Sequence, residues 1–201
     1  MVAYGYYYGG ALGIAGVAMA YFLGWPWAIP FLILAAFCLY FFRDPEREIP
    51  DGPVAVSPAD GKVVSIKDQG RGSTRVSIFL NIFDVHVNRS PIAGQIKEVR
   101  YQPGQFLVAS REDASAQNEQ NTVTVEGGGS TVIFSQIAGL IARRIICWKH
   151  AGDAVGRGER IGLIKFGSRV DVFFGPEWII AVQPGERVKA ASTVLARRRP
   201  E

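Results

Sequence analysis

A glycine precedes a serine in Lys165-Phe166-Gly167-Ser168-Arg169-Val170-Asp171, between two strand-like runs close to the C-terminus. Gly167 has no Cβ, so it can take backbone angles closed to other residues and leaves its carbonyl open to close approach. The Ser168 hydroxyl is then placed to attack the peptide carbonyl on its own amino side, an N-to-O acyl shift. A glycine turn or bulge joining the two runs is the plain alternative, so the other polar groups must decide. Asp60, in Ser57-Pro58-Ala59-Asp60-Gly61, is a candidate acid or base and equally a turn residue. His86 lies in Asn81-Ile82-Phe83-Asp84-Val85-His86-Val87-Asn88-Arg89-Ser90-Pro91. Alternation from Phe83 puts Phe83, Val85 and Val87 on one face and Asp84, His86 and Asn88 on the other, which makes either a presented polar row or a half-exposed strand histidine. Asn118-Glu119-Gln120-Asn121 closes a polar loop that begins at Ser110, and such loops are by default surface.

Composition divides the chain in two. None of the 22 basic and 18 acidic residues precedes Arg43, so an apolar head is followed by a body of ordinary globular composition. The uncharged run from 8 to 42 far exceeds the roughly 18 residues that mark a membrane segment. It lacks the basic amino-terminal region and small-residue cleavage site of a secretory signal. Gly24-Trp25-Pro26-Trp27 interrupts it, because proline opposes helix continuation and tryptophans suit a headgroup interface. A hairpin of two helices follows, each about 16 or 17 residues or roughly 25 Å, borderline between spanning the bilayer and lying in one leaflet. Arg43 and Arg47 after the second helix place the body on the cytoplasmic side of the cell membrane. The net charge of +4 is modest. It fits an anionic membrane surface, with a solvated tail as the alternative for Arg197-Arg198-Arg199, and no nucleic-acid partner is expected. Cys38 and Cys147 fall on opposite sides of the divide, which argues against a disulfide. Together with only two histidines, His86 and His150, they supply no ligand set for a metal.

The organisation expected is a membrane-associated helical hairpin at 1–42 and a β-rich domain at 43–201. After the proline-punctuated linker 42–50, short Val/Ile-rich runs alternate with glycine turns at 54–56, 61–66, 75–80, 94–99, 122–125, 131–134 and 161–164. Helix is expected only near Ile141 to Ile145. Two internal similarities stand out: Ser57-Pro58-Ala59-Asp60-Gly61-Lys62-Val63 matches Ser90-Pro91-Ile92-Ala93-Gly94-Gln95-Ile96, and the 152–159 turn matches 184–190. Paired glycine turns of this kind belong to lipoyl/biotinyl-like sandwich barrels, so the fold class expected is mainly β with such a body behind the apolar hairpin.

Taken in order, the Asp60 motif, the His86 motif, Asn118-Glu119-Gln120-Asn121, Gln136-Ile137-Ala138-Gly139 with Ala142-Arg143-Arg144, and Phe166-Gly167-Ser168 resemble the short form of the phosphatidylserine decarboxylase proenzyme family. The resemblance covers essentially the whole body and extends to the apolar head. It implies a proenzyme that cuts itself between Gly167 and Ser168, leaving a β chain of 1–167 and an α chain of 168–201 whose first residue becomes a pyruvoyl group, with no metal or other cofactor. It implies a phospholipid substrate taken from the membrane. The ketone derived from Ser168 condenses with the substrate amine, so that the imine accepts the departing carboxylate's electrons. His86 is the candidate acid that reprotonates the α carbon. Asn118 and Glu119 are assigned to substrate binding, and Arg143 and Arg144 to the phosphate or neighbouring headgroups. Longer members carry two histidines three residues apart before Ser-Pro, and here Arg89 holds the second place. Either His86 serves both self-cleavage and decarboxylation, or Asp60 helps deprotonate Ser168 through another group. Homo-oligomerisation stays open.

Two other readings carry different chemistry. A membrane-anchored lipoyl-like carrier would need Lys62 or Lys165 at the tip of a hairpin. A zinc peptidase would need more histidines than the chain has.

Overall fold

The computed structural model describes residues 2–106, 117–139, 144–165 and 167–200. It forms two compact units, Met1–Glu46 and Arg47–Glu201.

In the first unit, α1 (Ala3–Leu23) is joined through a 3-10 turn (Trp25–Ala28) to α2 (Ile29–Phe41). Gly24 closes α1 at φ +97°, and Pro26 sits in the first turn of the 3-10 segment, where a missing N–H costs nothing. The lengths differ from the expected 16 or 17 residues. Tyr4 and Tyr8, one turn apart, both pack on Phe42 and extend α1 back to Ala3, while the 3-10 turn takes four residues from the start of α2. The helices run antiparallel. A Cβ on Gly9 would lie 2.9 Å from Leu39 and one on Gly16 would lie 3.3 Å from Phe31, and the Val2 N–H donates to Phe42 O at 3.0 Å. The faces turned away from this seam carry Ile14, Val17, Phe22, Trp25, Trp27 and Ile33, all exposed. Among the described residues no helix is long and apolar enough to cross a membrane.

The second unit is mainly β. Its strands are β1 (Val54–Val56), β2 (Gly61–Gly70), β3 (Ser73–Leu80), β4 (Val87–Arg89), β5 (Gly94–Gln102), β6 (Gln120–Gly127), β7 (Ser130–Ile137), β8 (Ile145–Cys147), β9 (Ala154–Val155), β10 (Arg160–Ile164), β11 (Ser168–Phe174), β12 (Trp178–Ile180), β13 (Arg187–Val188) and β14 (Val194–Arg198). An eight-stranded curled antiparallel sheet has the order β13-β2-β3-β11-β7-β6-β5-β9, and two three-stranded sheets have the orders β1-β14-β12 and β4-β10-β8. Each of the seven Val/Ile-rich runs expected as strands lies within a strand. The helix expected near 141–145 is not borne out where it can be followed: Ile145 opens β8, paired through Ile164, while 141–143 lie outside the described residues.

Cross-strand register builds the core. Rows Val76–Val172–Phe134–Val123 and Ile78–Val170–Gln136–Asn121 line one face of the sheet, and all eight residues are buried. The internal similarity appears as matched hydrogen bonds. Val56 N–H donates to Pro91 O and Arg89 N–H to Pro58 O, both at 2.9 Å. The Ala191 and Gly158 N–H groups donate to Ser57 O and Ser90 O, both at 2.8 Å. Val63 N–H meets Glu186 O as Ile96 N–H meets Asp153 O, again both at 2.9 Å. Each Ser-Pro turn is also locked by its own hydroxyl, Ser57 Oγ on Ala59 O and Ser90 Oγ on Ile92 O.

Candidate active site

Because every pairing in the large sheet is antiparallel, one end of it gathers positions far apart in sequence. Ser168, the first residue of β11, stands opposite Leu80 at the end of β3. One step along, Arg169 is flanked by Phe79 and Ile137, Phe79 pairs with Lys62, and Ile137 with Gln120. Asp60 immediately precedes β2. Beyond the end of β7 the Ala138 N–H donates to Glu119 O at 2.9 Å. The Asp60, Asn118-Glu119, Gln136-Gly139 and Gly167-Ser168 motifs therefore meet at one edge.

Ser168 is fully buried, and its Oγ has no hydrogen-bond partner among the described residues. Such a hydroxyl costs free energy, and a catalytic use accounts for its being kept. Gly167 has φ +55°, a left-handed conformation that an L side chain adopts only under strain, and a Cβ there would meet nothing within 4 Å. Glycine is required by backbone angle and not by crowding. Phe166 lies outside the described residues.

His86 is 2% exposed, and here the expected alternation fails. Residues 82–84 form a turn and not a strand, because the Asn81 carboxamide accepts the Phe83 N–H and Asp84 N–H returns to Asn81 O. Phe83 is thrown outward and everything from Asp84 to Ser90 is buried, so the histidine is not half-exposed. Its Nδ1 lies 2.9 Å from Asp84 O. A carbonyl only accepts, so Nδ1 donates, and the neutral ring carries its basic lone pair on Nε2. The His86 carbonyl accepts the Ile164 N–H at 3.3 Å, tying this loop to β10 just before the Gly-Ser bond.

The Asp60 carboxylate accepts Arg47 Nη2 at 3.0 and 2.8 Å and the Ala190 N–H at 2.7 Å. Asp84 takes the Asn81 N–H and an ion pair from Arg187. Sequence reasoning missed Arg47, read as linker, and Arg187; nothing in their spacing marks a partner so distant in the chain. It also missed a buried amide relay: Asn121 Nδ2 donates to Gln136 Oε1 at 3.0 Å, Gln136 Nε2 to Asn88 Oδ1 at 2.9 Å, and Asn88 Nδ2 reaches Pro58 O at 3.5 Å. The available signal was an amide in each motif at a strand position otherwise filled by Val or Ile.

Asn118 is fully buried and donates to Ala138 O at 2.8 Å, so it braces the β7 end and is not a surface-loop residue. Desolvation, together with the Glu119 carboxylate and a hydrogen bond to it, pushes the Tyr101 phenol above its ordinary range. Arg144 is exposed, its carbonyl accepting the Lys165 N–H; Arg143 lies outside the described residues. Arg89 is buried with Nη1 on Gly158 O at 3.1 Å. His150 is exposed beside Asp153. Neither lysine proposed for a carrier sits at a hairpin tip: Lys62 is within β2 and Lys165 is buried. Among the described residues no cluster of three or more His, Cys, Asp or Glu side chains is placed to hold a metal ion. A surface cavity of about 710 Å³ beside Glu126, Ser130 and Glu177 is at the opposite end of the sheet, remote from Ser168.

Fold and site together define a β-rich body built around a buried serine behind a left-handed glycine, carried with an apolar helical hairpin. The profile of the phosphatidylserine decarboxylase family matches residues 34–196. A phosphatidylserine decarboxylase proenzyme of Solibacter usitatus is 65% identical over 198 residues, covering 98% of this chain and 97% of its own. The proenzymes of Syntrophus aciditrophicus and Desulfotalea psychrophila are 45% and 44% identical, covering 92% and 83% of this chain and 91% and 82% of their own. The chain belongs to the phosphatidylserine decarboxylase family.

Proposed function

We propose that this chain converts phosphatidylserine to phosphatidylethanolamine after cutting itself between Gly167 and Ser168. The observation that carries the reading is the buried, unsatisfied Ser168 Oγ directly after a glycine at φ +55°. Attack of Oγ on the Gly167 carbonyl gives an ester. Loss of the Ser168 α proton expels the Gly167 carboxylate, and one water replaces one ammonia to leave a ketone at residue 168. The products are a β chain of 1–167 and an α chain of 168–201.

A pyruvoyl group at that terminus supplies the electron sink for decarboxylation. The surrounding residues suit it: Ser168 is dry, and its cross-strand partner among the described residues is the buried, apolar Leu80. His86 holds and returns the proton, because Asp84 O fixes its Nδ1–H and leaves Nε2 to exchange. Asp60, committed to Arg47 and to Ala190 of the α chain, positions the two chains against each other. Asn118 keeps the β7 end in place beside the substrate, and headgroup binding is assigned to Glu119, Arg143 and Arg144. Substrate arrives laterally. The hairpin exposes apolar side chains and no described helix is long and apolar enough to cross, which supports a place in one leaflet with Trp25 and Trp27 at the interface and the β-rich domain on the cytoplasmic side. The matched Ser-Pro and glycine turns support a sandwich-barrel relationship for the body.

Purified protein with phosphatidylserine vesicles should release CO₂ and form phosphatidylethanolamine without added cofactor, and Ser168→Ala should not. Product formation by Ser168→Ala refutes the assignment; an added lipoyl or biotinyl mass on Lys62 or Lys165 supports the carrier instead.

A further inference from the structure

The chain spends a buried ion pair directly beside Ser168. Arg169 and Asp171 alternate with Ser168, Val170 and Val172 along β11 and project to the opposite face of the sheet, yet each is 1% exposed. Arg169 Nε donates to Asp171 Oδ1 and its Nη2 to Ser77 Oγ, both at 2.7 Å, while Arg75 Nη1 stands 3.9 Å from Asp171 Oδ2. Ser77 is the direct cross-strand partner of Asp171 on β3. Burying two opposite charges rarely stabilises a fold more than apolar residues of the same size would, so the retained pair calls for an account in terms of position.

Resting on the self-cleavage proposed above, we propose that Arg169 and Asp171 are positioning residues that lock the new amino end of the α chain into β11 after the cut. Before cleavage Ser168 is held from both sides by a continuous chain. Afterwards residue 168 is a strand terminus, and termini fray unless they are tied down. The Arg169 amide carries the carbonyl derived from Ser168, and the Arg169 guanidinium reaches across to Ser77, so β3 and β11 keep their register at the one residue where slippage would move the reacting atom. The requirement therefore falls on decarboxylation and not on self-cleavage.

The test uses full-length protein in detergent. Arg169→Met combined with Asp171→Leu removes both charges of the close pair together, and among the described residues the Arg75 guanidinium, 3.9 Å from Asp171 with its side chain 11% exposed, is a nearby charge whose partner changes. This variant should still yield the 34-residue fragment with a terminal carbonyl that titrates with an aryl hydrazine. Its amides at 169–171 should exchange at least about tenfold faster than wild type in the cleaved protein, with no difference when both are compared in a Ser168→Ala background. Its kcat should fall about tenfold or more at unchanged KM. Wild-type exchange and kcat in the cleaved variant overturn the proposal, as does failure to cleave in a folded variant. Should the double variant not fold, Ser77→Ala decides by the same readouts with losses of about threefold. A wild-type chain that yields no hydrazine-reactive fragment overturns the self-cleavage reading itself, and this is seen before any variant is made.

Discussion

Arg47→Ala tests the assignment of the linker arginine to the site. Arg47 and Asp60 have side chains 11% and 13% exposed and share two hydrogen bonds. Breaking a fully buried pair costs about 3–5 kcal/mol and an exposed one about 0–1 kcal/mol, so this pair, nearly but not wholly dry, is worth about 2–3 kcal/mol. Among the described residues Asp60 would keep only the Ala190 N–H. In a body of this size that loss lowers Tm by about 6–10 °C. The measurement is thermal unfolding in a Ser168→Ala background, so that every variant is the same uncut chain. Combining Arg47→Ala with Asp60→Asn closes a double-mutant cycle, and the coupling should exceed about 1 kcal/mol. A Tm change below about 2 °C together with zero coupling refutes the reasoning and returns Arg47 to the solvated linker.

Three further outcomes follow from other parts of the body. A Cβ on Gly61 would lie 2.3 Å from Phe79 O, so Gly61→Ala must push β2 off β3, and the uncut chain should lose at least about 3 kcal/mol in denaturant titration. The Lys149 ammonium and the Gly156 N–H hold the Glu159 carboxyl below its ordinary range, so its stabilisation is complete above the unfolded value of about 4.3 and fades as pH falls through the folded one. Glu159→Gln should flatten the acid limb of the stability profile, and an unchanged limb contradicts the pairing. Burial pushes the Cys147 thiol up, so at pH 7.5 it should react with iodoacetamide more slowly in the folded protein than in urea; equal rates contradict that environment.

The sheet was legible because its strands alternate. Val63, Val76, Val123, Phe134 and Val172 face one way by period alone, and the internal similarity of the Ser-Pro and glycine turns, visible in the sequence, coincides with matched hydrogen bonds. What period cannot show is a side chain that turns the backbone. Asn81 caps its own turn, which ended the alternation one strand early and buried His86 instead of half-exposing it. The Gly-Ser pair, His86 and Asp60 were visible as residue types. Their fixing partners Arg47, Ala190 and Arg187 were not, since each is joined to the site across 13 to 130 positions of chain and only the folded register brings them near. The short linker arginine looked like a membrane-flanking charge because that is where its sequence neighbours place it. Arg169 and Asp171 were read past for a related reason: charges in a strand suggest an exposed face, and here that face is buried.

The central claim, that the reacting carbonyl derives from Ser168, is tested most directly by locating the substrate's covalent contact. Mature protein is mixed with phosphatidylserine and borohydride, and the chains are separated and weighed. The account predicts that the lipid amine becomes fixed to the amino terminus of the 34-residue fragment, that the 1–167 fragment stays unmodified, and that the uncut Ser168→Ala chain takes up nothing. Attachment to Lys62 or Lys165, or to the uncut Ser168→Ala chain, would contradict it.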